Sequence, residues 1–585
     1  MAGTCAATGA STCSNHNSFP FMHGKFLSHV ALPILCLVPL ATLVLYPLLW
    51  RAAGSFLGWY LRKKTDGRRC HILALVEADE KKYREEGSQT TSNVAGGENG
   101  GLEKAGANAA GTSKNGDTGD DGWDGIVGFF HPFCNAGGGG ERVLWAAIRA
   151  TQERWPKAKC VVYTGDHGVT KDAILARVKN RFNIHLHPPT INFLYLSTRH
   201  WVLASTWPRF TLAGQSLGSL ILAWDAFSLL VPDMFVDTMG YAFALGLSKF
   251  LFRDVPTGAY VHYPTISADM LDSLSPTSAV GSQGVNAGQG VGLRGRAKKL
   301  YWRLFANIYS RVGSSADVVM TNSTWTQGHV QKLWGPLRQQ QGGKAAAAAA
   351  AAAQSGGNSP IAVVYPPVAV RELEHEVDVS PASEKKREKV ILYIAQFRPE
   401  KNHQLILQSF ADFLKSGSDA AEGARLVLVG SVRDDSDSKR VYQLRLLVNE
   451  LHIRDRVEFH LDASWPEILE WLRRASVGVN GMWNEHFGIG VVEYQAAGLV
   501  AVVHDSGGPK LDIVVDVEGG PTGFHATTST EFAQGFEKAL SLPNPYAVRQ
   551  RARQSAKRFT EEEFARRWTE QMELLVSLRI GKKRR

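Results

Sequence analysis

Residues Val477–Asp512, VGVNGMWNEHFGIGVVEYQAAGLVAVVHDSGGPKLD, constrain this chain more than any other stretch. They read as a short apolar strand (Val477–Asn480), a polar loop, a helix opening near Gly488–Gly490, a second strand (Val500–His504) and a Gly-rich turn. A helix start leaves the N–H groups of Phe487, Gly488, Ile489 and Gly490 without intrahelical partners, which makes a seat for a phosphate. Glu485 falls in the loop and Glu493 one turn into the helix, with seven residues between them. One carboxylate beside that seat and one below it suit the hydroxyls of a sugar and of a ribose. The stretch has the chemistry of a nucleotide-sugar site.

The same strand–helix alternation runs through most of the chain. Strand candidates in the first part are Gly125–Phe130, Cys160–Thr164, Ile191–Leu196, Gly258–His262 and Asp317–Thr321. Those in the second are Val390–Ala395, Arg425–Gly430, Arg456–Phe459, Ser476–Asn480 and Val500–His504. Alternation of this kind predicts α/β architecture with doubly wound parallel sheets, and 585 residues are too many for one core. The expected division is a first Rossmann-like domain over 66–365, a linker over 366–388, a second over 389–545 and a helical tail over 546–585. Inserts of low complexity interrupt the first domain at about 87–122, 273–297 and 339–359, the last with an alanine run at Ala345–Ala353. Thr211–Val231 is strongly apolar apart from Asp225, and suits either a buried core helix or a segment dipping into a membrane leaflet.

Phe26–Trp50 contains no Asp, Glu, Lys or Arg and is long enough to span a bilayer. Lys25 alone precedes it, whereas Arg51, Arg62, Lys63, Lys64, Arg68 and Arg69 follow. The bias places residues 1–25 in a lumen and everything after the anchor, 26–50, in the cytosol. Under that topology the acceptor pattern Asn322-Ser323-Thr324 stays unglycosylated. The formal net charge of +10 suits an anionic membrane face or diphosphate substrates. No basic stripe interleaved with aromatics is present, so nucleic acid is not an expected partner. The six cysteines show no C-x-x-C spacing, which argues against structural zinc or a disulfide framework.

Three further motifs carry chemistry. The four glycines Gly137–Gly140 let a backbone approach a ligand closely, and Arg142 breaks any dinucleotide pattern. His262 ends the strand GAYVH, where side chains of open α/β sheets reach a cleft. AQFRPEKNH supplies Arg398 and Lys401 just past a strand, an arginine fork and a point charge for phosphate oxygens. These cations take the place of a metal: no cofactor is expected, and Asp434-Asp435 reads as part of a solvated loop.

Glu-x7-Glu in this setting resembles the donor site of the retaining GT-B glycosyltransferases of glycosyltransferase family 4. With GFFHPFCNAGGGGERVLWAAI (Gly128–Ile148), AYVHYPTISADML (Ala259–Leu271), NSTWT (Asn322–Thr326) and AQFRPEKNH (Ala395–His403), the chain is similar to a narrower group. These are the α-1,2-mannosyltransferases of the endoplasmic reticulum that extend a dolichol-linked oligosaccharide from three mannoses to five. The similarity spans about Ile126–Val515.

The resemblance implies a GT-B fold of two Rossmann-like domains facing a cleft, GDP-mannose as donor and a dolichol-diphosphate oligosaccharide as acceptor. It also implies an endoplasmic-reticulum location beside other mannosyltransferases of that membrane. Gly138, Gly139 and Gly140 would face the diphosphate and acceptor. His262 would stand near the transferred mannose, Glu485 would contact that sugar with His486, Phe487 and Gly488 beside it, and Glu493 would hold the ribose. Asp505, Gly507 and Gly508 would close over sugar or phosphate. The superfamily's Gly-Arg is replaced by Ala395-Gln396, which puts Lys401 ahead of Arg398 as the phosphate contact. The alternatives are another lipid-linked GT-B enzyme of the same membrane, or an inactive scaffold.

Overall fold

The computed structural model describes residues 24–94, 122–275, 291–340 and 361–583, and within these the side chains of 24–45, 87–94, 339–340 and 582–583 are outside the description. The low-complexity inserts fall mostly outside the described residues. The expected end of the second insert shifts, however: Gly292–Arg296, counted as insert, opens a helix that runs to Gly313. Tyr60–Arg585 is one compact unit and the residues before it another; one helix, Gly24–Val94, runs through the division. Among the described residues no helix is long and apolar enough to cross a membrane. Most of the expected anchor, Phe26–Trp50, has side chains outside the description.

Two all-parallel sheets make up the larger unit. The first contains β1 (Ile126–Phe130), β2 (Lys159–Thr164), β3 (Ile191–Tyr195), β4 (Met234–Asp237), β5 (Thr257–Val261), β6 (Val318–Thr321) and β7 (Ala362–Val363), in the order 3-2-1-4-5-6-7. The second contains β8 (Glu388–Ile394), β9 (Arg425–Gly430), β10 (Val457–Leu461), β11 (Ala475–Asn480), β12 (Val500–His504) and β13 (Gly523–Ala526), in the order 10-9-8-11-12-13. Strands β1, β5, β11 and β12 are buried along their whole length, as helices on both faces require of a parallel sheet. Winding reverses between β1 and β4 and between β8 and β11, and crevices at the carboxyl ends of such strands are where open α/β sheets bind ligands.

Strands β4, β7 and β13 were not expected. Met234–Asp237 follows directly on the apolar helix, so no composition shift marks it. Ala362–Val363 has two residues, and Gly523–Ala526 has four, one of them a glycine. Thr211–Leu229 is a helix with one face in the core, through Leu222, Ala223, Ala226 and Phe227. Its Asp225 carboxylate is occupied by the Ser197 and Thr198 N–H groups at 2.8 and 3.1 Å. Asp434 caps a helix, Asp435–Glu450, accepting the Asp437 N–H at 3.0 Å, so this segment is not the solvated loop expected. Asn322 is buried at the end of β6.

The tail joins both sheets. Helix Pro545–Ala556 packs on the second, where buried Arg549 donates to the carbonyls of Ser476 and Gly498, each at 2.8 Å. Helix Glu561–Lys583 then crosses to the first. Trp568 is fully buried there, stacks on Phe129 with centroids 6.3 Å apart, and donates Nε1–H to Thr151 Oγ1 at 3.1 Å. Arg579 bridges Asp233 (2.8 Å) and Asp254 (2.9 Å), the same carboxylates that Arg69 (2.5 Å) and Arg62 (2.6 Å) of the amino-terminal helix engage. Trp568→Ala is expected to cost about 3–5 kcal/mol of unfolding free energy, measured by denaturant titration. The loss would combine a large cavity with the loss of the Trp568–Thr151 hydrogen bond, while the Thr151 hydroxyl keeps its own bond to the Ala147 carbonyl at 2.7 Å.

Candidate active site

The loop after β11 carries the first cluster. Gly488, at φ +107°, turns the chain into helix Ile489–Ala496, a backbone geometry that favours glycine. Its carbonyl accepts the Val491 and Val492 N–H groups, whereas those of Gly488, Ile489 and Gly490 have no acceptor among the described residues. The Glu485 carboxylate forms an ion pair with the Lys401 ammonium and receives Asn480 Nδ2–H at 3.4 Å. Burial opposes ionisation, yet Lys401 outweighs it and holds the Glu485 carboxyl below the usual range. Glu485 is therefore an anion at neutral pH. Glu493, half-buried on the helix, has no hydrogen bond or ion pair among the described residues. Burial pushes its carboxyl up to about 7, against the attraction of Arg142.

Behind this loop lies the turn after β12. Gly508 N–H donates to the Glu485 carbonyl at 2.8 Å, and a Cβ at Gly508 would stand 2.6 Å from Phe487 Cα. Gly507, at φ +67°, is equally tight against the Glu485 backbone. The structure thus puts Gly507 and Gly508 under the glutamate loop as its support. Asp505 turns away, paired with Lys510 at 2.9 Å on the surface. Phe487 is buried against Tyr365 and Phe559.

The facing wall comes from the first sheet. The glycine loop after β1 leads into helix Gly139–Arg154. Glu141 folds its carboxylate back onto the N–H groups of Ala136, Gly137 and Gly138, so those three donors are occupied and not free for phosphate. Gly139 is the point of closest approach: a Cβ there would lie 2.7 Å from Ile489 Cδ1 of the second domain. Gly140 stands beside His262, whose Nε2–H donates to the Thr238 carbonyl at 3.1 Å. Burial lowers the His262 pKa to about 4, so the ring is neutral at physiological pH and Nδ1 is left as its acceptor.

Direct contacts lock the two walls together. His486 stacks on Tyr263 at 4.1 Å and on Trp325 at 5.4 Å. Asn484 Nδ2–H donates to Asp269 at 2.8 Å. Asp512 accepts the Thr324 N–H (3.0 Å) and the Tyr365 hydroxyl (3.0 Å). Arg398, like Asp505, makes none of these contacts. It lines a cavity of about 400 Å³ with His403 and Arg440, and its nearest carboxylate is Glu400 at 3.8 Å. Among the described residues, no group of three or more His, Cys, Asp or Glu is placed to hold a metal ion.

Comparison with known proteins narrows the identity. Residues 124–334 match the family model "ALG11 mannosyltransferase N-terminus", and 376–559 match "Glycosyl transferases group 1". A Neurospora crassa protein named GDP-Man:Man(3)GlcNAc(2)-PP-Dol alpha-1,2-mannosyltransferase is 74% identical over 96% of this chain and 99% of its own. The Homo sapiens protein of that name is 42% identical over 75% and 85% of the two chains. The chain belongs to this α-1,2-mannosyltransferase family.

Solved structures share only the fold. They include the N-terminal domain of Candida albicans trehalose-6-phosphate phosphatase (12% identity, TM-score 0.53, 77% of this chain and 96% of that one). A Burkholderia xenovorans trehalose-phosphate synthase is comparable (12%, 0.52, 77% and 98%). The two facing parallel-sheet domains of this α-1,2-mannosyltransferase family member form a GT-B fold.

Several residues of the mannosyltransferase cleft were not singled out from the sequence. Thr238 sits on the unrecognised strand end of β4 and orients His262. His131, within the motif GFFHP, contacts the Thr238 hydroxyl through Nδ1 at 2.7 Å. Glu141 follows the glycines directly, and glutamate at the third position after a cap was a legible signal. Tyr263 and Trp325 lie inside the quoted motifs, but their stacking on His486 depends on domain closure.

Two outcomes test this site. The folded chain keeps a proton on Glu493 between the ordinary carboxyl value and about 7 that the unfolded chain has lost, so this group's contribution to stability falls as pH rises through that window. Glu493→Gln is expected to stabilise the fold by about 1–2 kcal/mol near pH ~8 and by little near pH ~5, read by denaturant titration at both pH values. Gly508→Ala is expected to displace the glutamate loop and lower turnover about 100-fold, with kcat measured beside a circular-dichroism check of folding.

Proposed function

We propose that this chain transfers mannose from GDP-mannose, with retention, in α-1,2 linkage to Man3GlcNAc2-diphosphodolichol, adding the fourth and fifth mannoses in succession for protein N-glycosylation. The names of its relatives support donor, acceptor and linkage. The observation that carries the reading is the pairing of ionised Glu485 with Lys401 beside a helix amino terminus, opposite His262 across the cleft. In this proposal residues 66–365 serve the acceptor and 389–545 the donor. Phe26–Trp50 anchors the enzyme in the endoplasmic-reticulum membrane, with its domains in the cytosol.

Each residue has a distinct task. As the glycosidic bond to the diphosphate breaks, negative charge grows on the leaving oxygen and positive charge on the sugar. Lys401 and the open N–H groups of Gly488–Gly490 meet the first, and the Glu485 carboxylate meets the second. Glu493 accepts from ribose hydroxyls. The acceptor hydroxyl attacks on the side from which phosphate departs, and the departing oxygen takes its proton, so no protein nucleophile is required. Neutral His262 accepts a hydroxyl of the mannose through Nδ1. Arg398 contributes to the phosphate field from the flank of the loop, and no metal ion is required for these steps.

The test uses detergent-solubilised full-length protein, GDP-mannose and synthetic Man3GlcNAc2-diphospho-lipid, with and without EDTA. A mass gain of two hexoses, removed by α-1,2-mannosidase and unaffected by EDTA, is expected. Glu485→Ala should lower the rate about 100- to 1,000-fold. Transfer only from another nucleotide sugar would replace this assignment with a different lipid-linked enzyme. No turnover with any donor would indicate a scaffold.

A further inference from the structure

Two helix starts meet across the cleft. A Cβ at Gly139, the first residue of helix Gly139–Arg154, would lie 2.7 Å from the Cδ1 of Ile489, the first residue of helix Ile489–Ala496. About one turn further along, the first helix carries Arg142 and the second Glu493. Arg142 is an unusual residue for its place. A cation in the first turn of a helix is set against the helix dipole, and the Arg142 Nε is buried with no hydrogen-bond partner among the described residues. Its Nη2 donates to Glu561 at 2.6 Å. Glu561 has a second partner in Arg149 at 3.1 Å, so it stays paired when Arg142 leaves.

The cations of the second wall are already balanced. Lys401 is paired with Glu485 and Lys510 with Asp505, while Arg398 lies on the flank nearest Glu400. The open N–H groups of Gly488–Gly490 offer only the fractional charge of a helix start. A nucleoside diphosphate sugar brings net negative charge into this space, and more develops on the departing phosphate. A further cation has to come from the facing wall. There Arg177, Arg181 and Arg199 donate to the carbonyls of Asn135, Gly137 and Pro132 in the glycine loop. Arg142 is the cation whose field reaches Glu493 across the cleft.

We propose that Arg142 is a donor-binding residue: as the nucleotide-sugar enters, its guanidinium leaves Glu561 to Arg149 and takes oxygens of the diphosphate. A planar fork with a buried, unfilled donor position suits phosphate oxygens. The first domain thereby supplies the charge that Lys401, tied to Glu485, does not supply alone. This assignment rests on the diphosphate donor proposed above.

The test titrates GDP into detergent-solubilised full-length protein by calorimetry and reads turnover with the lipid-linked acceptor. Arg142→Ala is expected to weaken GDP binding and to lower kcat/KM for GDP-mannose, each about 100-fold, and added guanidinium at millimolar concentration should restore part of the turnover. Glu561→Gln removes the same ion pair but keeps the guanidinium, so its GDP affinity should hold or rise. Arg142→Lys, which keeps a charge on the same helix, should recover part of the GDP affinity. Equal losses in Arg142→Ala and Glu561→Gln would make Arg142 a brace for the carboxyl-terminal helix and overturn the proposal. Turnover of Arg142→Ala that guanidinium leaves unaltered would overturn it too. If wild-type protein binds GDP and Arg142→Ala binds it equally, this proposal alone fails. If wild-type protein binds no GDP, the donor assigned above fails and this proposal with it.

Discussion

The site depends on one short piece of backbone, Asn484–Phe487, being held from both sides. Behind it, the Gly508 N–H and the Cβ-free surfaces of Gly507 and Gly508 press against its main chain. In front, His486 stacks on Tyr263 and Asn484 bonds Asp269, both from the other domain. A glutamate on a free loop would spread over many rotamers and lose the advantage of fixed geometry. Here the loop contacts place Glu485, while Asn480 and Lys401 hold its carboxylate and Lys401 fixes its charge.

The two glutamates of the motif show how environment separates like groups. Glu485 has a lysine and is ionised in spite of burial; Glu493 faces Arg142 at a distance, has no hydrogen bond among the described residues and is driven toward the protonated form. An unsatisfied carboxylate in a cleft costs stability and is a common mark of a group kept for a ligand. Arg142 is itself tied to Glu561 at 2.6 Å, so the carboxyl-terminal helix bears on the field around Glu493. That helix also shares Asp233 and Asp254 with the amino-terminal helix, which joins the two distant ends of the chain on the first sheet.

Much of the fold was legible. Ten strands were expected and ten lie where they were placed, within a residue or two, because buried parallel strands write uninterrupted apolar runs. β4, β7 and β13 escaped because they are short or merge with a neighbouring apolar helix. His262 and Lys401 were named because strand ends in such folds point at a cleft, and Glu485 and Glu493 because of their spacing about a helix start. Sequence assigned Gly507 and Gly508 to the ligand because glycine reports only that something comes close; tertiary packing identified that neighbour as the Glu485 loop.

The sequence by itself determined two doubly wound domains, a strand–loop–helix with paired glutamates, a lysine beyond a strand and a basic, helical tail. Local composition, period and turn chemistry are enough for these. Only the tertiary structure decided which charges meet: Lys401 with Glu485 across 84 residues, Asn484 with Asp269 across 215, and Arg142 with Glu561 across 419. It also decided that Glu141 occupies the glycine loop. Pairings over such separations follow from how two sheets and a crossing helix pack, and no local pattern encodes them.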